Sequence, residues 1–212
     1  MFADFSENSR RYPVELLFIA PVLALTGNLV TGFSAGIIFL LLIVMVAVSV
    51  SVLRKFVSYQ LRIPFLVLII ATLISLIELV LKACAFELSN QFGIYTPLLA
   101  VNSLVFACAE GSFLRSGLDV SLKQAFKAGV LILVLCTVTG ALREILNYGT
   151  LFRDAEIILK GVNLRIDILK FDSGGGFTLA GKAPGAFLCC GLILALWNYL
   201  SVQTSLKITE RN

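Results

Sequence analysis

The sequence predicts an all-α integral membrane protein of six transmembrane helices, arranged as two inverted three-helix repeats with the first and fourth spans interrupted. Three observations predict it. The first is composition: of 212 residues, 58% are hydrophobic and only 14% charged, against about 25% charged in an average soluble domain. With a mean hydropathy of +0.96, a soluble domain of this size could not hide its apolar surface. A disordered chain, a nucleic-acid binder and an ordinary cytosolic enzyme are excluded. The second is length. Six spans of about 20 residues would use about 120 positions, which leaves short loops and a single membrane domain over 1–212. The third is internal similarity. Ala20-Pro21-Val22-Leu23-Ala24-Leu25-Thr26 aligns with Thr96-Pro97-Leu98-Leu99-Ala100-Val101-Asn102, and each stretch is followed by two stronger apolar runs. The halves are about 14–90 and 91–204. Three spans per half is odd, so the second half must enter from the opposite face.

The elements follow in order. The first apolar stretch runs from about Val14 to Phe33 and carries Pro21, Thr26, Gly27 and Asn28. The second runs from about Ala35 to Leu53, and the third from Pro64 to Phe86. The fourth, about Gly93 to Phe113, carries Pro97, Asn102, Ser103 and Gly111. The fifth runs from about Phe126 to Leu146 and the sixth from about Lys182 to Val202. The connection from about Asn147 to Gly181 is an extramembrane loop, with strand-like alternation from Ile158 to Phe171 and the flexible Ser173-Gly174-Gly175-Gly176. Arg10, Arg11, Arg54, Lys55, Arg62, Arg115, Lys123, Lys127, Lys207 and Arg211 collect on one face. The positive-inside rule then makes both termini cytoplasmic. Net charge of +4 suits contact with anionic lipid.

Interrupted helices at matching positions of two halves point to a site near the membrane midplane. Pro21, Thr26, Asn28, Pro97, Asn102 and Ser103 are the path candidates there. Their plainer role is to satisfy backbone groups that the breaks set free. Glu78 lies inside the third span, where a carboxylate costs about 2.5–3.5 kcal/mol on insertion scales. It is an ion-coupling candidate, or else the partner of Lys82, four residues on and on the same helix face. Glu110 ends the fourth span and is the second coupling candidate. Arg143-Glu144 ends the fifth and reads as a capped, self-paired helix end. The sequence contains no His, so imidazole proton relays and His-ligated metals are excluded. Cys84, Cys108, Cys136, Cys189 and Cys190 have no CxxC spacing and read as small buried hydrophobes. No catalytic residue, phosphate loop or metal-ligand cluster emerges.

Several stretches together resemble the RnfE/NqrD family over about residues 13–205. They are Arg62-Ile63-Pro64 with Ile70-Ala71-Thr72-Leu73 and Ile77-Glu78-Leu79, and Gly93-Ile94-Tyr95-Thr96-Pro97-Leu98 with Val101-Asn102. Ala109-Glu110, Gly140-Ala141-Leu142-Arg143-Glu144-Ile145-Leu146 and Ala183-Pro184-Gly185-Ala186-Phe187 follow, the last looking more like RnfE than NqrD. The resemblance implies an integral subunit of an Rnf-type ion-translocating electron transport complex, which couples ferredoxin and NAD chemistry to sodium or proton movement. It implies an RnfA-like homologous partner of opposite orientation, alongside other Rnf subunits. It also implies a [2Fe–2S] cluster shared with that partner, since the family has Cys just before the first-span Pro and just after the fourth-span Asn. Here those positions are Ala20 and Ser103. The expectation is therefore that this chain alone binds no cofactor and no metal. Two other readings stand beside the first: a self-standing small membrane transporter, and a redox-inactive structural scaffold subunit.

Overall fold

A computed structural model describes residues 22–23, 25–54, 59–152, 166–167, 177–182 and 184–193, together with 195, 196 and 199. The described chain is mostly helical. Helix α1 spans Leu29–Leu53 and α2 spans Arg62–Cys84. Short helix α3 covers Phe86–Phe92. Helix α4 (Tyr95–Leu98) runs into a 3-10 turn, Leu99–Val101. Helix α5 (Ser103–Cys108) continues as a π-turn over Ala109–Phe113. The long α6 spans Leu118–Tyr148. After it come strand β1 (Thr150–Leu151), strand β2 (Ile166–Asp167) and short helix α7 (Thr178–Gly181). Apolar helix α8 covers Pro184–Ile193.

Leu29–Leu53, Arg62–Cys84, Tyr95–Phe113 and Leu118–Tyr148 are each long and apolar enough to cross a membrane. At about 1.5 Å per residue, 31 residues make α6 about 46 Å long, more than the roughly 30 Å hydrocarbon layer. On α2, Leu66, Ile69, Ile70, Leu73, Ile74 and Ile77 are buried, a stripe at helical spacing. Its opposite face shows Ile63, Leu68, Leu79 and Val80 outward. A helix apolar all round, with its backbone bonds satisfied internally, is what a bilayer accepts.

The boundaries differ from the apolar-run reading in three places. The first and second stretches were expected to separate near Ser34; α1 instead runs unbroken through it. Ser34 closes its own hydroxyl on the Val30 carbonyl at 2.8 Å, so a Ser in this run does not end the helix. The interruption lies upstream, at Leu25–Asn28, and the part of that stretch before residue 22 lies outside the described residues. The fifth span begins at Leu118, not Phe126, because the more polar residues from Leu118 to Ala125 continue the helix beyond its apolar part. The strand alternation expected from Ile158 to Phe171 is described only at Ile166–Asp167. These pair antiparallel with Thr150–Leu151, in the register Thr150↔Asp167 and Leu151↔Ile166. Ser173–Gly176 lies outside the described residues.

The packing that positions everything else is between α1 and α6. A Cβ placed at Gly140 would lie 2.5 Å from the Asn28 carbonyl oxygen, and one at Gly32 would lie 2.5 Å from that of Cys136. Gly36 faces the Leu133 backbone and Gly129 faces Leu40. Numbers fall along α6 as they rise along α1, so the pair is antiparallel. Between membrane helices there is no water to expel, and close backbone approach through small residues supplies the attraction. Helix α6 ends at Gly149, which adopts the left-handed φ of 67° that closes many helices.

Candidate functional site

The first interruption is built from residues that satisfy one another. Val22 and Leu23 are helical, and the chain leaves the helix at Leu25–Asn28. Thr26, wholly buried, donates its hydroxyl to the Leu23 carbonyl at 2.7 Å. Asn28 is extended (φ −133°, ψ 171°) and starts α1. Its N–H donates to Thr31 Oγ1 at 2.8 Å. Two of the path candidates, Thr26 and Asn28, thus serve the backbone that the break sets free.

The rest of that demand is met from α6. Arg143 is 1% exposed and Glu144 is fully buried. Arg143 Nε donates to the Ala180 carbonyl at 2.8 Å. One terminal nitrogen donates to the Thr26 carbonyl, to Thr26 Oγ1 at 3.3 Å and, more loosely, to the Leu23 carbonyl at 3.5 Å. The other donates to the carbonyls of Gly181 at 3.1 Å and Lys182 at 2.9 Å. Glu144 Oε2 accepts the N–H of Leu29, the first residue of α1, at 3.0 Å. The electrostatics are complementary. Terminal helix carbonyls carry partial negative charge and attract the guanidinium, while the first N–H groups carry partial positive charge and attract the carboxylate. Helix α1 has no acidic residue in its own first turn, so Glu144 supplies one from another helix.

This corrects the sequence reading of Arg143-Glu144 as a self-paired helix end. Adjacent residues on a helix do not face each other. Both side chains reach across to other segments, joining the first-span break, α1 and the start of the last apolar helix. Gly140 lies on the same face and admits Asn28, and Asn147 packs against Gly181. The signal available in the sequence was two consecutive charges at the end of an apolar run, one turn after a glycine.

The fourth-span interruption is simpler. Asn102 is 1% exposed and extended (φ −70°, ψ 116°) between the 3-10 turn and α5. Its Oδ1 accepts from the Leu104 N–H at 2.9 Å, which fixes the amide orientation. Nδ2 is buried with no hydrogen-bond partner among the described residues. Ser103 is exposed at the first position of α5, and Pro97 is exposed within α4, five residues before the break. Pro21 and Ala20 lie outside the described residues. The hydrogen bonds of Asn102 close on its own segment, whereas Thr26 and Asn28 belong to the α6 network.

The coupling candidates sit elsewhere. Glu78 Oε1 lies 2.7 Å from Lys82 Nζ, with the Glu78 side chain 25% and the Lys82 side chain 54% exposed. That is the neutralised pair the i, i+4 spacing allows. Glu110 is exposed in the π-turn, whose Ser112 hydroxyl donates to Gln124 Oε1 of α6. Single π-turns inside helices recur at functional positions.

A [2Fe–2S] cluster needs four thiolate-type ligands. The donors at the corresponding positions do not fit. Ala20 has no donor atom and Ser103 offers a hydroxyl. Cys108 is buried on α5, and five residues at about 100° each place it about 140° around the helix from Ser103. The two cannot face one metal together.

A family model described as "Rnf-Nqr subunit, membrane protein" matches residues 5–194. The chain belongs to the Rnf-Nqr membrane-subunit family. Among curated relatives, a Glaesserella parasuis serovar 5 protein is 35% identical, covering 88% of this chain and 82% of its own. A Vibrio vulnificus protein is 35% identical over 90% and 83%, and a Yersinia pestis protein 38% identical over 86% and 78%. Each is named as the E-type component of an ion-translocating oxidoreductase complex. This Rnf-Nqr chain therefore shares its family and its membrane character with those proteins, and the α6 face that seats the first-span break lies within the matched region.

Proposed function

We propose that the chain is the E-type membrane subunit of an Rnf-type complex, coupling ferredoxin and NAD chemistry to sodium or proton movement. The observation that carries this reading is the 35–38% identity, along most of the chain, to relatives that share one name. In this reading six spans form two inverted three-helix repeats, and the interruptions at Thr26–Asn28 and Asn102 lie near the midplane. An RnfA-like subunit of opposite orientation packs beside them, in the bacterial inner membrane, with both termini cytoplasmic. What supports the arrangement is the pair of breaks, one on each side of a strongly apolar region. A backbone interruption at membrane depth is tolerated where protein or a cavity covers it.

The redox cluster falls outside this reading. With Ala20 and Ser103 at the family's cysteine positions, this chain contributes no ligand pair, and ion movement depends on its fold and on groups such as Glu78 and Glu110. The donor set also favours a second reading, a redox-inactive scaffold that positions the other subunits. One experiment separates them. Inverted membrane vesicles from a strain lacking only this chain are energised with reduced ferredoxin and NAD. Loss of redox-driven ion uptake, with the other subunits still present, supports the coupling role. Uptake unchanged without the chain overturns it. Iron and labile-sulfide assays on the purified complex are expected to find no cluster at this chain's interface with its partner.

A further inference from the structure

We propose that Arg143 is a positioning residue for ion coupling: its guanidinium stands in for a bound cation inside a cage of backbone carbonyl oxygens. In that place it holds the first-span break and the start of α8 in one register. The inference rests on the coupling reading above. The cage comes from two segments far apart in sequence. Leu23 and Thr26 supply carbonyls from the first break, and Ala180, Gly181 and Lys182 supply them from the end of α7. Each segment is the point where the chain leaves a helix, so its carbonyls are only partly met by local N–H groups: Leu23 also accepts the Thr26 N–H at 3.1 Å and Lys182 the Gly185 N–H at 2.9 Å. Converging carbonyl oxygens are the donors that coordinate desolvated cations in membrane pores. Here the cation is covalently tethered, and the side chain is 1% exposed.

The shape of the group matters as well as its charge. Guanidinium offers five N–H donors in a flat fork, and all three of its nitrogens are used. A Lys ammonium presents three donors from a single nitrogen, where the guanidinium presents its donors from three separate nitrogens. Glu144 adds the opposite charge one residue on, at the N-terminus of α1. The break is thus gripped on both sides from one turn of α6, next to the Gly140–Asn28 and Asn147–Gly181 contacts. A segment so held can shift only if the two helix ends and α6 move together, which ties any motion of the first break to α8.

The test uses the whole complex carrying Arg143→Ala, in vesicles and purified. Expected is assembly with all subunits, and a fall in ions moved per electron of about tenfold or more, the size of an ordinary coupling free energy. Guanidinium chloride, below denaturing concentrations, then restores the ratio in a saturable way. Urea, the uncharged molecule of the same shape, does not. Guanidinium should also raise the thermal midpoint of the purified variant relative to sodium chloride at the same concentration, and should not do so for the wild type. This readout does not depend on transport. Thermal rescue in a complex whose wild type moves no ions would keep the cage and remove the coupling role. Absence of any guanidinium effect on either readout overturns the proposal. Should the Ala variant fail to assemble, Arg143→Lys is expected to assemble with a lowered ion-to-electron ratio, and a wild-type ratio there overturns the proposal too.

Discussion

Two side chains separate structural from functional duty at the scale of single residues. Asn102 caps α5 through Oδ1 while its Nδ2 lies buried without a partner among the described residues. Asn102→Ala should lower stability by about 1 kcal/mol, as for other lost caps. Asn102→Ser should recover most of that loss, because a hydroxyl can also accept from the Leu104 N–H. Thermal unfolding of the purified complex in detergent measures both, and equal midpoints for Ala and wild type would mean that the cap contributes nothing. Glu78 was legible as a carboxylate in an apolar run, and the Lys82 pairing was legible from spacing. Neither says whether the pair moves ions. As a coupling group, Glu78→Gln is expected to lower redox-driven uptake while leaving assembly intact. Unchanged uptake leaves Glu78 with the pairing role alone. Arg143 and Glu144 were visible as charges but not as a clamp, because their hydrogen-bond partners come from residues 23–29 and 180–182, and no local rule connects those to position 143.

Among the elements, the governing contact is α1 against α6. The two pack through glycines because backbone meets backbone. Gly140→Ala would press a methyl group onto the Asn28 carbonyl, which has no flexible side chain to give way. A loss of about 1–3 kcal/mol is expected, as for other overpacked sites. A Cβ at Gly191 on α8 would meet nothing within 4 Å among the described residues, and Gly191→Ala should be neutral or slightly stabilising, since it removes unfolded-state freedom. Thermal midpoints of the two variants side by side make the comparison, and equal effects would contradict the close packing. Helix existence was readable from apolar runs. Helix limits were not: Ser34 looked like a boundary and is not one, while Lys123 fell before the expected fifth span and lies in α6.

For the molecule as a whole, composition settled the solvent. A chain with 58% hydrophobic and 14% charged residues belongs in lipid, and four helices of spanning length agree with that. Orientation is a claim at this scale. The Lys and Arg distribution predicts both termini in the cytoplasm. Reporter fusions at residues 1 and 212 should therefore be active only in that compartment, and a fusion within 173–176 only outside it. Termini reporting from opposite sides would rule out an even number of spans.

The sequence by itself determined the membrane character, the family, the helical runs and the place of the two weak stretches. These are properties of composition and of residues near each other in the chain, where hydropathy and backbone hydrogen bonding act locally. Only the tertiary structure decided what the weak stretches are for. The first break is seated on one face of α6, with Arg143 among the carbonyls and Glu144 on the α1 N-terminus. The second closes on its own asparagine. The physical reason is that a buried backbone group must find a partner somewhere, and which partner it finds is fixed by how helices pack, not by what lies next to it in the chain.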